Sequence, residues 1–267
     1  TLITLVLLTF SVLSFTSVVS RNELKGRALY DQQLDRIRAP YPGILFRSPL
    51  YDPIPLDTLE YLTEEFADAQ WIVPRAWFPG GPAPIDPMTR IDSAYGKSTT
   101  VPATLGLAHE EKAIALTRPD WLVGEWFQPG DQYAAILSES LAEQLGVTGQ
   151  DLGKPVLTIR ARPFVVRGIL SDDFFSRKTG FTDMDGEPLT PVNYAMSAQI
   201  YQEERTTRFD IAARRPPLAF HRYGPEATLI VPFQTALEWG GNIRSVAIVG
   251  STTKGMSQRA RCEEVLN

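Results

Sequence analysis

Residues 1–20, TLITLVLLTFSVLSFTSVVS, hold no charged residue, no Pro and no Gly. Twenty helical residues rise about 30 Å, the thickness of a bilayer's hydrocarbon core. Ser and Thr hydroxyls bond back to carbonyls of their own helix and so are tolerated in lipid. The segment reads as a membrane span. A signal peptide would show a basic leader and a small-residue cleavage site, and Ser17-Val18-Val19-Ser20 is a poor one. A buried core helix rarely runs so long without a charge. The chain begins at Thr1 rather than Met, and the sequence is read as a fragment. Arg21, Lys25 and Arg27 follow the span. They are weak evidence for its orientation, because long domains cross membranes largely regardless of flanking charge.

The remainder has the composition of a folded domain. Of 267 residues, 43% are hydrophobic and 21% charged, which excludes disorder over most of the length. Net charge is −5, which argues against nucleic acid as the main partner, because neutralising phosphates needs a basic face. Cys262 is the single cysteine, which excludes an intrachain disulfide and a multi-cysteine zinc site.

The pattern of residues 18–38 is helical, with Leu24, Ala28, Leu34 and Ile37 near one stripe, and Pro40 and Pro42 stop it. A membrane helix continued into solvent in this way makes a stiff stalk. Ile44-Leu45-Phe46 reads as a buried strand. Asp57 is the expected N-cap, with Glu60 completing a capping box, of a helix through about Ala69. Trp71-Ile72-Val73 is then a strand ended by Pro74, giving a β–α–β unit. Residues 79–98 are rich in Pro and Gly and read as a domain border or long loop. A strand is expected within His109–Leu116, and an apolar turn at Trp121–Phe127. Further on come a strand at Ala134–Leu137, a helix at Glu139–Leu145 ended by Gly146, and a strand pair at Val156–Arg160 and Phe164–Leu170. Residues 172–224 look polar and irregular, helical around Ser197–Arg205. Thr228–Val231, Phe233–Trp239 and Ser245–Val249 read as strand, helix and strand, and Ser257–Leu266 as a final helix.

Chemistry-bearing patterns are sparse. Ser138 and Ser140 flank Glu139 at a helix start, where such residues serve as caps, and no G-x-S-x-G elbow is present. The only histidines are His109 and His221, and His109-Glu110-Glu111-Lys112-Ala113 lacks the second His of H-E-x-x-H. Gly96-Lys97-Ser98 resembles the end of a phosphate loop, but Ile91 stands where its first Gly belongs. Asp183-Met184-Asp185-Gly186-Glu187 has some features of a calcium loop, yet Asp-Gly is more simply a hairpin turn. The acidic pair Asp172-Asp173 reads as solvent-facing. Phe174-Phe175 and the Trp121, Trp126, Phe127 group read as core, with partner anchoring as the alternative. No residue is assigned as catalytic, cofactor-binding or metal-ligating, and no cofactor is expected.

One ordered set of segments is distinctive: Ala135–Gly146 (AILSESLAEQLG), Gly149–Lys154 (GQDLGK) and Phe164–Leu170 (FVVRGIL), followed by Leu229–Ala236 (LIVPFQTA) and Ser245–Val249 (SVAIV). It resembles the extracytoplasmic core domain of permeases of the macrolide-exporter (MacB) type, which include FtsX-like and lipoprotein-releasing permeases. The span at 1–20 and the unit at Leu56–Pro74 sit where that family has its first membrane helix and opening β–α–β. Residues 172–224 have no counterpart in the pattern, and the family continues past the position of Asn267 to a second membrane helix.

The resemblance implies an α+β fold. It comprises a transmembrane helix (1–20), a stalk and discontinuous membrane-proximal α/β subdomain (21–80 and 225–267) and an inserted β-rich subdomain (81–224). It implies a non-enzymatic permease subunit of an ABC transporter in the inner (cytoplasmic) membrane, with most of the chain extracytoplasmic. Expected partners are a cytoplasmic ABC ATPase, a second permease subunit in a homo- or heterodimer, an extracytoplasmic adaptor and membrane lipid. The ATPase would drive export, lipoprotein release or activation of an outer partner through the stalk. Two other readings stand beside it: a single-span adaptor or receptor module, and a tethered hydrolase using Ser138 or Asp172-Asp173.

Overall fold

In the computed structural model the chain folds around a mixed sheet of eleven strands. The structure describes residues 43–48, 52–78, 88–115, 121–176, 181–184, 186–199 and 220–250. The strands are β1 (Gly43–Arg47), β2 (Trp71–Phe78), β3 (Thr89–Ser93), β4 (Ser98–Val101), β5 (Ala103–Leu107), β6 (Leu122–Gly124), β7 (Ala134–Ser138), β8 (Leu157–Ile159), β9 (Arg162–Leu170), β10 (Thr228–Pro232) and β11 (Asn242–Val249). They lie in the order β1-β11-β2-β5-β10-β7-β9-β8-β3-β4, and β6 pairs with β9 off this path. The β10–β5 and β7–β9 pairs are parallel and the others antiparallel. The named helices among the described residues are α1 (Leu56–Glu65), α2 (Glu111–Ala115), α3 (Glu139–Leu145), α4 (Asp172–Ser176) and α5 (Phe233–Glu238), and residues 194–199 are also helical. Mixed sheet and short helices make the fold α+β.

The central strands are covered on both faces, which explains their unbroken apolar runs. Along β10, Leu229 and Val231 enter one cluster with Leu62 of α1, Leu141 of α3 and Ala236 of α5, while Ile230 enters another with Trp126, Phe174 and Phe181. In β7, Ala135 and Leu137 take the first side, Ala134 and Ile136 the second. The two-residue side-chain period of a strand therefore builds both halves of the core. Gly106 in β5 allows close approach of α5: a Cβ there would lie 2.4 Å from the Ala236 Cβ.

Helix α3 forms as its residues dictate. The Ser138 hydroxyl accepts from the Leu141 N–H at 3.1 Å, Leu141, Ala142 and Leu145 are buried, and Gly146 ends it at φ 71°. The β8–β9 hairpin turns through Arg160 and Ala161, both at positive φ, the backbone that a two-residue hairpin requires.

Several expected elements differ. Helix α1 ends at Glu65, and Pro55 rather than Asp57 occupies the N-cap; the Asp57 carboxylate accepts from the Thr58 N–H inside the first turn. Strand β2 runs through Pro74 to Phe78, because β5 pairs only from Arg75 onward and leaves that edge of Pro74 without a strand. The stretch 79–98 is not all loop: β3 lies within it, paired with β4 and β8. Within His109–Leu116 the chain forms α2 instead of a strand. Trp121–Phe127 contains the short strand β6, and in the irregular region residues 194–199 are helical. Among the described residues no helix is long and apolar enough to cross a membrane. The span at 1–20, the stalk at 18–38 and the helix at Ser257–Leu266 lie outside the described residues.

Two measurements check this account. Gly106→Ala should destabilise by about 1–3 kcal/mol, through forced separation of β5 and α5, read from the urea midpoint. The second concerns Asp151, which accepts from the Tyr95 hydroxyl and the Thr148 N–H. These bonds, Tyr95 first, hold its carboxyl below the usual carboxylate range. A lowered folded-state pKa means the stabilisation is full above about pH 4 and is lost as pH falls through the folded value. Asp151→Asn should therefore flatten the dependence of the urea midpoint on pH below about 4.

Candidate functional site

The residues flagged by the sequence do not converge. Ser138 is 0% exposed; its hydroxyl donates to the Pro225 carbonyl besides capping α3. A nucleophile so engaged has no route to substrate. The Ser140 N–H donates to the Asp172 carboxylate, and the Asp172 N–H donates to Glu139 at 3.1 Å, so α3 and α4 cap each other. Gly96 and Lys97 form the β3–β4 turn, with the Ser93 N–H bonded to the Lys97 carbonyl. Asp183 closes a hairpin, its N–H bonded to the Glu187 carbonyl at 2.7 Å and its carboxylate accepting from the Glu187 N–H. Phe174 is buried among Trp121 and Phe181, and Trp126 is buried beside Phe127. His221 donates its backbone N–H to Ser197. Among the described residues no three His, Cys, Asp or Glu side chains gather to hold a metal.

Among the described residues there is a groove of about 610 Å³ that no sequence motif announces. Its apolar surface comes from Leu59 of α1, Ile72 and Pro74 of β2, Leu107 of β5, Phe127, and Phe233 of α5. Polar groups border it: Thr63, Gln128, Gln132 and Gln234, with His109, Glu110, Asp131 and Glu238. The volume lies in the range of small-molecule sites, about 300–1,000 Å³.

Buried polar bonds fix its walls. Arg75, 1% exposed, donates from Nε and Nη2 to the two oxygens of Glu111, 0% exposed, at 2.7 and 2.9 Å. Nη1 reaches the Ser245 hydroxyl at 3.4 Å. This fork ties β2 to α2 and so sets the turn that carries His109 and Glu110. The Trp126 indole donates to the Ala108 carbonyl at 3.2 Å, holding the same turn from another side. Asp131 accepts from Arg167 Nε and Nη2 at 3.0 and 2.5 Å and from the Gln128 N–H at 2.9 Å, which closes the loop between β6 and β7. That fork raises the Arg167 pKa. The Thr235 hydroxyl donates to the Gln132 carbonyl, and the Gln132 amide to Glu238 at 2.6 Å. Each wall is cross-linked to another, so the groove is preformed.

A second cluster lies at the β8–β9 hairpin. The Arg160 guanidinium sits 4.5 Å from the centre of the Phe78 ring and 4.8 Å from that of Trp239, and Arg162 covers Tyr133. Burial against these rings pushes the Arg160 pKa down. The stack pins the hairpin to the end of α5 and β2.

No protein-family model and no curated protein sequence matches the chain. Solved structures similar to it include the periplasmic region of MacB from Actinobacillus actinomycetemcomitans, at 14% identity over 88% of this chain and 87% of that one, TM-score 0.48. The extracellular domain of the noncanonic ABC-type transporter YknZ from Gram-positive bacteria is similar at 13% identity over 78% and 83%, TM-score 0.39. A permease domain from Porphyromonas gingivalis is similar at 15% identity over 85% and 83%, TM-score 0.44. Likeness at this level carries no chemistry from those proteins to this one.

Removing one member of the buried fork strands the other charge. Arg75→Met should cost about 3–5 kcal/mol, whereas Arg75→Met with Glu111→Leu should recover most of that loss. Chemical denaturation of the single and double variants reads the difference.

Proposed function

We propose that this chain is the extracytoplasmic part of an ABC-transporter permease subunit, carried on a membrane helix at residues 1–20 and acting by movement instead of by breaking bonds. One observation carries the reading. The segments that resemble the MacB-type pattern occur in order, and four of the five fall on the strands and helices read for them from the sequence. AILSESLAEQLG is strand β7 running into α3, FVVRGIL is in β9, LIVPFQTA is β10 into α5, and SVAIV is in β11. Independent short matches have no reason to coincide in order and in conformation.

In this reading 21–80 and 225–267 form the membrane-proximal part and 81–224 the inserted part. The pairing of β11 between β1 and β2 supports the first grouping, since it joins segments about two hundred residues apart in sequence. Strand β5, from the inserted segment, lies between β2 and β10. The two parts would therefore share one sheet, and force applied at the stalk would reach the far strands through hydrogen-bonded ladders. A cytoplasmic ATPase, a second permease copy and an outer adaptor would complete the machine in the inner membrane. The 0% exposure of Ser138 weighs against the tethered hydrolase.

Two experiments test this. With Cys262→Ser as background, Tyr95→Cys places a thiol at an exposed site. A membrane-impermeant maleimide should label it on intact spheroplasts, and labelling seen only after lysis would reject an outer location. Mild-detergent purification of the full-length protein should bring down an ATPase subunit. Its absence across several detergents would favour the single-span adaptor.

A further inference from the structure

We infer that the groove between α1 and α5 is a binding site for a small organic cation with an apolar body. Its size and its charge both lead there. The floor formed by Leu59, Ile72, Phe127 and Phe233 favours apolar mass, and about 610 Å³ accommodates a compact drug-sized molecule. Among the described lining residues there is no Lys or Arg, while Glu110, Asp131 and Glu238 supply three carboxylates. Asp131 is already neutralised by the Arg167 fork. Among the described residues the other two have no Lys or Arg partner. Glu110 lies 3.1 Å from the imidazole of His109, and Glu238 accepts from the neutral Gln132 amide. One carboxylate comes from the turn after β5 and the other from the last turn of α5, so negative charge borders the apolar floor from two walls. An ammonium placed at that border keeps its charge hydrated on one side and paired on the other. A neutral analogue forgoes the pairing and an anion meets repulsion.

The cross-linked walls add preorganisation. The Arg75–Glu111 fork, the Trp126–Ala108 bond and the Asp131–Arg167 fork hold three sides in place before any ligand arrives. Little ordering entropy is then lost on binding. The inference concerns binding alone and needs neither an ATPase nor a membrane orientation, so its failure and that of the permease reading are separable.

The test is calorimetric titration of the full chain in lipid nanodiscs, with empty nanodiscs subtracted, using 4-phenylbutylamine and its neutral counterpart 4-phenylbutanol. The amine should bind saturably at one site, at least about fivefold tighter than the alcohol, and the gap should narrow as salt rises. Glu110→Gln with Glu238→Gln should bring the amine down to the alcohol's affinity and leave the alcohol unchanged. Thr63→Trp, on the exposed side of α1, should fill the groove and abolish binding of both while preserving the urea midpoint. Equal affinity for amine and alcohol, or amine binding indifferent to the two Gln substitutions, overturns the proposal. So does an N-acetyl Leu-Lys-Leu amide that binds about tenfold tighter than the amine, which would assign the groove to a peptide segment.

Discussion

The pairing of β11 on both of its edges is the constraint from which the described structure follows. Asn242–Val249 contributes seven buried residues and is held by β1 on one side and β2 on the other. Without it β1 has no strand neighbour, and β2 keeps only β5. The groove inherits its geometry from this arrangement, since Ile72 and Pro74 face it from the strand that β11 fixes.

Polar burial has a narrower task. Arg75 and Glu111 add little net stability over an apolar pair of equal volume, because both must be stripped of water. Their fork geometry instead admits one placement of α2 relative to β2. That placement aims the rim residues His109 and Glu110, while Asp131 with Arg167 does the same for the opposite loop. Specificity of position is what these charges supply.

What could be read from the residues depended on whether the determining contacts are local. Helix α3 was legible because Ser138, its apolar spacing and Gly146 lie within nine positions of one another. The β8–β9 pair was legible through alternation across a short turn. By contrast β3, Thr-Arg-Ile-Asp-Ser, has no apolar run, and its strand character comes from β4 and β8 on either side. A strand is expected within His109–Leu116, yet Glu111 is drawn inward by Arg75, thirty-six positions away, and the chain coils to deliver it. Pro74 reads as a strand end unless its missing neighbour is known. The groove was invisible for the same reason: its floor joins four distant stretches that share no spacing.

The late arrival of β11 bears on how such a chain is made. A ribosome adding about 5–20 residues per second leaves β1 and β2 waiting roughly ten to forty seconds for their shared neighbour. Through that interval two apolar ribbons present open backbone edges, the kind that recruit strands from other molecules. Shielding of those edges during elongation would show as a holdase bound to β1 and β2 on stalled nascent chains.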